Sequence, residues 1–232
     1  MAANRIVDEL KRFVDFSATG FKYNLQVFPD TVTAASLLFA LLFQSPPLAT
    51  LGAGFILLNF LHPKLAEFTT KVVSDTIGTD ADPLMCSSSF PGVSYDRLLN
   101  MSSERTFGAL NREGWPSFYS VVLGYIGAWI GMMPLLYQVE MKGSPKRRGA
   151  AILGAVVFAC IVVLGVVFRI SNNCETLFGA GVGLLVGGAV GVGFIYTLAM
   201  LSDRRMTNLL GYPLIQGKAQ DGKPIYVCDR KE

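Results

Sequence analysis

Side chains that commonly do chemistry are few in this sequence: one histidine and four cysteines in 232 residues, with the charged groups held to the edges of long apolar blocks. A lone histidine cannot build a typical zinc site, and the cysteines include no CxxC pair for dithiol redox work. Neither a metal nor a cofactor is expected. Cys86 and Cys174 fall in polar segments that the orientation argument below puts on one side of a membrane; two free thiols are expected there, and a disulfide between them is the alternative if the compartment is oxidising. Cys160 lies inside an apolar block and Cys228 in the C-terminal tail. Asn100-Met101-Ser102 is an acceptor sequon, a triplet that also arises by chance.

The apolar blocks carry polar information mainly by lacking it. No Asp, Glu, Lys, Arg or His lies within the last three, and the first, Thr31 to Leu61, holds only uncharged polar groups such as Gln44 and Asn59. Buried ionisable groups mark proton relays and ion pathways in membranes, so a pump or ion-coupled transporter is disfavoured. The last block instead holds Gly179, Gly183, Gly187 and Gly191 at strict four-residue spacing, a glycine zipper, and Gly127 and Gly131 repeat that spacing two blocks earlier. Such a stripe lets a neighbouring backbone come close, either within the chain or in self-association of two copies.

The elements that must carry these residues follow from composition. The chain is 51% hydrophobic and 16% charged, against about 25% charged in a soluble domain, and its mean hydropathy is +0.44. This points to an all-α, polytopic transmembrane helical bundle. The net charge of +3 is small and its basic residues form no stripe with aromatics, which argues against nucleic acid. The Thr31 to Leu61 block exceeds the roughly 20 residues that cross a bilayer and is broken by Gln44-Ser45-Pro46-Pro47. A helical hairpin is therefore expected, with spans at about 31–43 and 48–61; one long kinked span is the alternative. Three further spans follow, at about 117–137, 150–168 and 178–201, making about five. In this division residues 1–29 are an N-terminal amphipathic segment, 30–201 the membrane domain with a polar loop at 62–116, and 202–232 a tail able to form a short strand near Tyr226. Met1 to Tyr23 has acidic residues and no apolar core, so it does not read as a cleaved signal; it lies flat on a membrane surface or packs as a solvated helix.

Basic residues in short loops are retained on the cytoplasmic side. Lys142, Lys146, Arg147 and Arg148, and Arg204 and Arg205 after the last span, put those two ends and the tail inside. Loops 62–116 and 170–177 then face the lumen or exterior. The hairpin puts the N-terminus outside as well, whereas a single kinked span would put it inside.

At those outer corners the chain resembles a degraded member of the type 2 phosphatidic acid phosphatase superfamily, over roughly Leu48 to Met200. That family carries a Lys and Arg-Pro motif after an early span, a PSGH motif opening the next, and an Arg followed six residues later by His ahead of the final span. Here Pro116-Ser117-Phe118-Tyr119-Ser120 keeps the Pro and Ser, and Arg169 is in place with Glu175 where the second histidine belongs. Gly183 matches a family glycine. No clean first motif is present, although Lys64 and Lys71 are candidates.

The resemblance implies attack by one histidine on a phosphate ester, protonation of the leaving group by the other, and phosphate oxygens held by Lys and Arg. Both histidines are missing. Tyr119 and Glu175, with ordinary pKa values of about 10 and about 4, are poor substitutes at neutral pH, and His62 precedes the first-motif region and reads as an interfacial residue. The expectation is a non-catalytic structural or headgroup-binding subunit. Its partners would be membrane lipids, anionic headgroups among them, held by Lys71, Arg112 and Arg169 beside Ser117, Tyr119 and Glu175, and proteins meeting the outer loop or the tail. A diverged lipid phosphate or pyrophosphate phosphatase is the first alternative, and a channel or facilitator lined by the glycine stripe the second.

Overall fold

The computed structural model describes residues 20, 22–72, 86, 116–138, 145–201, 204–209, 215–218 and 224–226, except the side chains of 66–72, 145, 147, 204 and both strands. The N-terminal segment up to residue 19, most of the 73–115 stretch with Arg112 and the sequon, and Cys228 lie outside the described residues. Among the described residues five longer helices run in chain order, after a helical stretch at 22–26: α1 Phe28–Phe43, α2 Pro46–Val72, α3 Phe118–Leu136, α4 Pro145–Ser171 and α5 Leu177–Leu201. The last four contain stretches long and apolar enough to cross a membrane; α1 is a shorter apolar helix of 16 residues, about 24 Å at 1.5 Å per residue. A 3-10 turn, Arg204–Thr207, and an antiparallel pair of short strands, Ile215–Lys218 with Pro224–Tyr226, complete the described fold. The tail thus adds a two-stranded ribbon to what is otherwise helix among the described elements.

The break between α1 and α2 is local chemistry. Gln44 takes a left-handed conformation (φ 47°) with its N–H donating to the Ala40 carbonyl, and Pro46 opens α2 where a missing donor is harmless. The two helices fold back as a hairpin, closely enough that a Cβ on Gly52 would lie 2.6 Å from Leu37 Cδ2. Two expected boundaries are corrected. α1 begins at Phe28, and α2 does not stop at Leu61 but continues eleven residues further, through His62 and Pro63 to Val72, so Lys71 belongs to the helix. Pro63 removes one backbone donor; a neighbour-supported helix tolerates that loss.

Leu51, Phe55, Leu58 and His62 of α2 recur at helical spacing and are buried. They face α3, whose Val122, Tyr125, Trp129 and Met133 form the centre of the core with Ile195 of α5. The closest pairing is between α3 and α5. A Cβ on Gly183 would lie 2.6 Å from Ser120 Cβ, one on Gly187 would run into the Val121 carbonyl, and one on Gly191 would lie 2.7 Å from Ala128 Cβ. Positions rise together along both helices, so α3 and α5 are parallel, and α4 runs back between them in sequence.

The glycine that α3 contributes is not the expected one. Gly131 faces open space and Gly127 meets only the edge of Phe158, at 3.4 Å, whereas a Cβ on Gly124 would run into the Leu184 backbone. At 100° per residue Gly131 lies within about 20° of Gly124 around α3 and Gly127 about 60° away, so Gly131 shares the contact face but sits about two turns further along the helix, where nothing approaches it. Gly179 is buried at the entrance to α5.

The contacts also sort the helix ends. Phe28 packs on Tyr119, with ring centroids 6.4 Å apart, and His62 reaches the Pro116 carbonyl at 2.7 Å, so the start of α1, the His62 region of α2 and the start of α3 share one end. At the other end Tyr137 and Thr207 join hydroxyls at 2.9 Å, and Thr50 donates to the Met206 carbonyl at 2.7 Å. Helix direction therefore alternates from α1 to α5.

Candidate functional site

The first of these ends gathers the polar side chains. Ser117 is the N-cap of α3, in extended conformation, and its hydroxyl accepts the Ser120 backbone N–H at 3.3 Å. Serine suits that position because its short side chain reaches an otherwise unbonded donor of the first turn. Both hydroxyls, Ser117 Oγ and Ser120 Oγ, donate to the same oxygen, Glu175 Oε2, each at 2.8 Å.

Glu175 is brought there by the turn between α4 and α5. Asn173 takes φ 56°, which asparagine tolerates, and the Cys174 N–H returns to the Arg169 carbonyl at 2.9 Å. Thr176 then caps α5 by accepting the Gly179 N–H at 3.0 Å. Arg169 sits in the last turn of α4. Its Nε lies 3.9 Å from Glu175 Oε2, one terminal nitrogen donates to the Cys86 carbonyl, and the guanidinium covers the Tyr119 ring 5.3 Å from its centre. Cys86 is joined to Cys174 by a disulfide whose Cα atoms are 5.2 Å apart. One bridge thus ties the segment before α3 to the turn before α5, directly over Arg169.

Burial decides what this cluster can do. The Arg169 and Glu175 side chains are 3% and 4% exposed. Glu175 Oε2 has two hydroxyl donors and the nearby cation, while Oε1 is buried and accepts no hydrogen bond. Removal from water pushes the carboxyl above its ordinary value of 4.5; the Ser120 and Ser117 hydrogen bonds and the Arg169 charge pull it back only in part. His62 is also buried, edge-on to Phe118 with centroids 5.2 Å apart and bonded through Nε2 to the Pro116 carbonyl. It braces the entrance to α3.

Of the residues singled out from the sequence, Ser117, Tyr119, Arg169 and Glu175 come together with Cys86 and Cys174. Lys71 lies near the end of α2 with its side chain outside the described residues, and Arg112 lies outside them altogether. Ser120 was missed. Its signal was present, because a residue three positions after Ser117 shares its helix face. Among the described residues no group of three His, Cys, Asp or Glu side chains is placed to hold a metal ion. Comparison with protein-family models, with curated proteins and with solved structures finds no match to this chain.

Proposed function

We propose that this chain is a non-catalytic, multi-pass membrane protein built on a phosphatase-like arrangement of helices, in which the inherited reaction centre has become a structural lock. Four helices apolar enough to span a bilayer support membrane residence, and the alternating helix directions favour five crossings with α1 as the first. In this reading the Ser117 to Glu175 end faces the lumen or exterior. The basic end, with Lys146, Arg148 and Arg205, faces the cytoplasm together with the tail.

The observation that carries the proposal is the sealed Arg169–Glu175 pair. The resemblance implies an open phosphate cradle with two histidines. Here a carboxylate occupies the centre, Arg169 is covered by Cys86, and the single histidine is bonded to a backbone carbonyl. Headgroup capture by Arg169 would require that cover to lift. The glycine stripe is filled by α3, so a pore lined by it is a weaker reading. The protein then acts by holding its bundle together and presenting its outer loop or its tail to a partner. Purified protein in lipid nanodiscs, offered phosphatidic acid and isoprenyl pyrophosphate, should release no phosphate above background. Turnover that disappears in Arg169→Ala would overturn the proposal.

A further inference from the structure

The geometry points to a carboxylate-binding cradle, formed by Ser117, Ser120 and Arg169, that the chain fills with its own Glu175. Three features define it. Two hydroxyls one helical turn apart converge on a single oxygen at 2.8 Å each, and the guanidinium Nε lies 3.9 Å from that same oxygen. Ser117 is the N-cap of α3, where the unbonded N–H groups and the helix dipole favour a negative charge. The second carboxylate oxygen, Oε1, is buried with no donor facing it.

That asymmetry sets the class of ligand. A carboxylate spreads one charge over two oxygens, so one well-solvated oxygen and one bare one is a tolerable arrangement. A phosphate would bring at least three anionic or polar oxygens into a space where the two serine hydroxyls both address one point, and each oxygen left bare in a water-excluded site carries a desolvation penalty. The cradle is thus fitted to a small carboxylate and poorly fitted to phosphate. This inference rests on the contacts around Glu175 and not on the non-catalytic reading above, so either can fail alone.

The test removes the resident carboxylate and supplies a free one. Full-length E175A in phosphatidylcholine nanodiscs should unfold at a lower temperature than wild type, and sodium formate should raise its midpoint in a concentration-dependent way, as expected for a ligand that binds only the folded state. Sodium chloride or phosphate at equal ionic strength should not. Neither should phosphatidic acid added to the nanodiscs, which separates a lipid headgroup from a free anion. Wild type, with the cradle filled, and E175A/R169Q, with the cation removed, should not respond to formate. E175S serves as a second cradle-emptying variant should E175A not accumulate. Absence of a formate effect, an equal effect of chloride or phosphate, or failure of both variants to fold even with formate present throughout extraction would each overturn the inference.

Discussion

Helices α3 and α4 lie side by side and obey opposite rules. The apolar window of α4 is the more hydrophobic of the two, yet only 17% of it is buried within the protein, against 61% for α3. α4 shows Ile152, Leu153, Val156, Val163 and Val167 to its surroundings, whereas α3 buries Ser117, Tyr119, Ser120, Tyr125 and Trp129 among its apolar residues. In water the order would be reversed. In lipid the outer face gains nothing by leaving its surroundings, so helices associate through close backbone approach and polar contacts. α3 has both: the glycines of α5 along its length and the Glu175 carboxylate at its entrance.

The sharpest way to break this contrast is to remove the buried cation. Arg169→Ala leaves Glu175 without its charge partner and should cost about 3–5 kcal/mol, read as a lowered unfolding midpoint in bicelles, while Val156→Ala on the outer face of α4 should cost far less. Cutting the bridge comes next. Cys174→Ser releases a closure spanning 88 residues and should cost about 2–4 kcal/mol, with a mobility shift on non-reducing gels as the check that the bond exists in the native protein. Gly187→Val forces a side chain into the Val121 carbonyl and should cost about 1–3 kcal/mol; Gly181→Ala and Gly193→Ala, which face open space, should stay within about 0.5 kcal/mol.

The smallest effect is one of pH. The folded-state value of Glu175 lies above 4.5, so the folded chain holds its proton more tightly than the unfolded chain. Its contribution to stability is therefore fully present below pH 4.5 and is lost as pH rises through the raised folded value. Glu175→Gln should flatten that segment of a stability-against-pH curve, and an unchanged curve would show that the carboxyl titrates as an ordinary one.

Legibility in the sequence followed the same contrast. The hairpin was readable because Pro46-Pro47 announces a helix start, and the apolar blocks marked the helices. The continuation of α2 past Pro63 was not, because proline reads as a stop unless neighbouring helices support the chain. The glycines of α5 were readable from spacing, but spacing says nothing about which stretch of the partner helix they meet, and so Gly124 was overlooked in favour of Gly127 and Gly131. The motif spacing named Ser117, Tyr119, Arg169 and Glu175. It could not reveal that Arg169 is covered, since the cover is the Cys86 carbonyl, 83 positions away in sequence.

The account depends most on the two ends of the bundle being on opposite sides of a membrane, with α1 a crossing in its own right. With Cys160 and Cys228 replaced by serine and the Cys86–Cys174 bridge kept, single cysteines at Tyr23 and Lys146, both exposed, can be labelled by a membrane-impermeant maleimide in sealed, oriented vesicles. Three crossings separate them, so labelling from opposite sides is the predicted result. Labelling from the same side would make α1 and α2 a single kinked span and contradict five crossings of alternating direction.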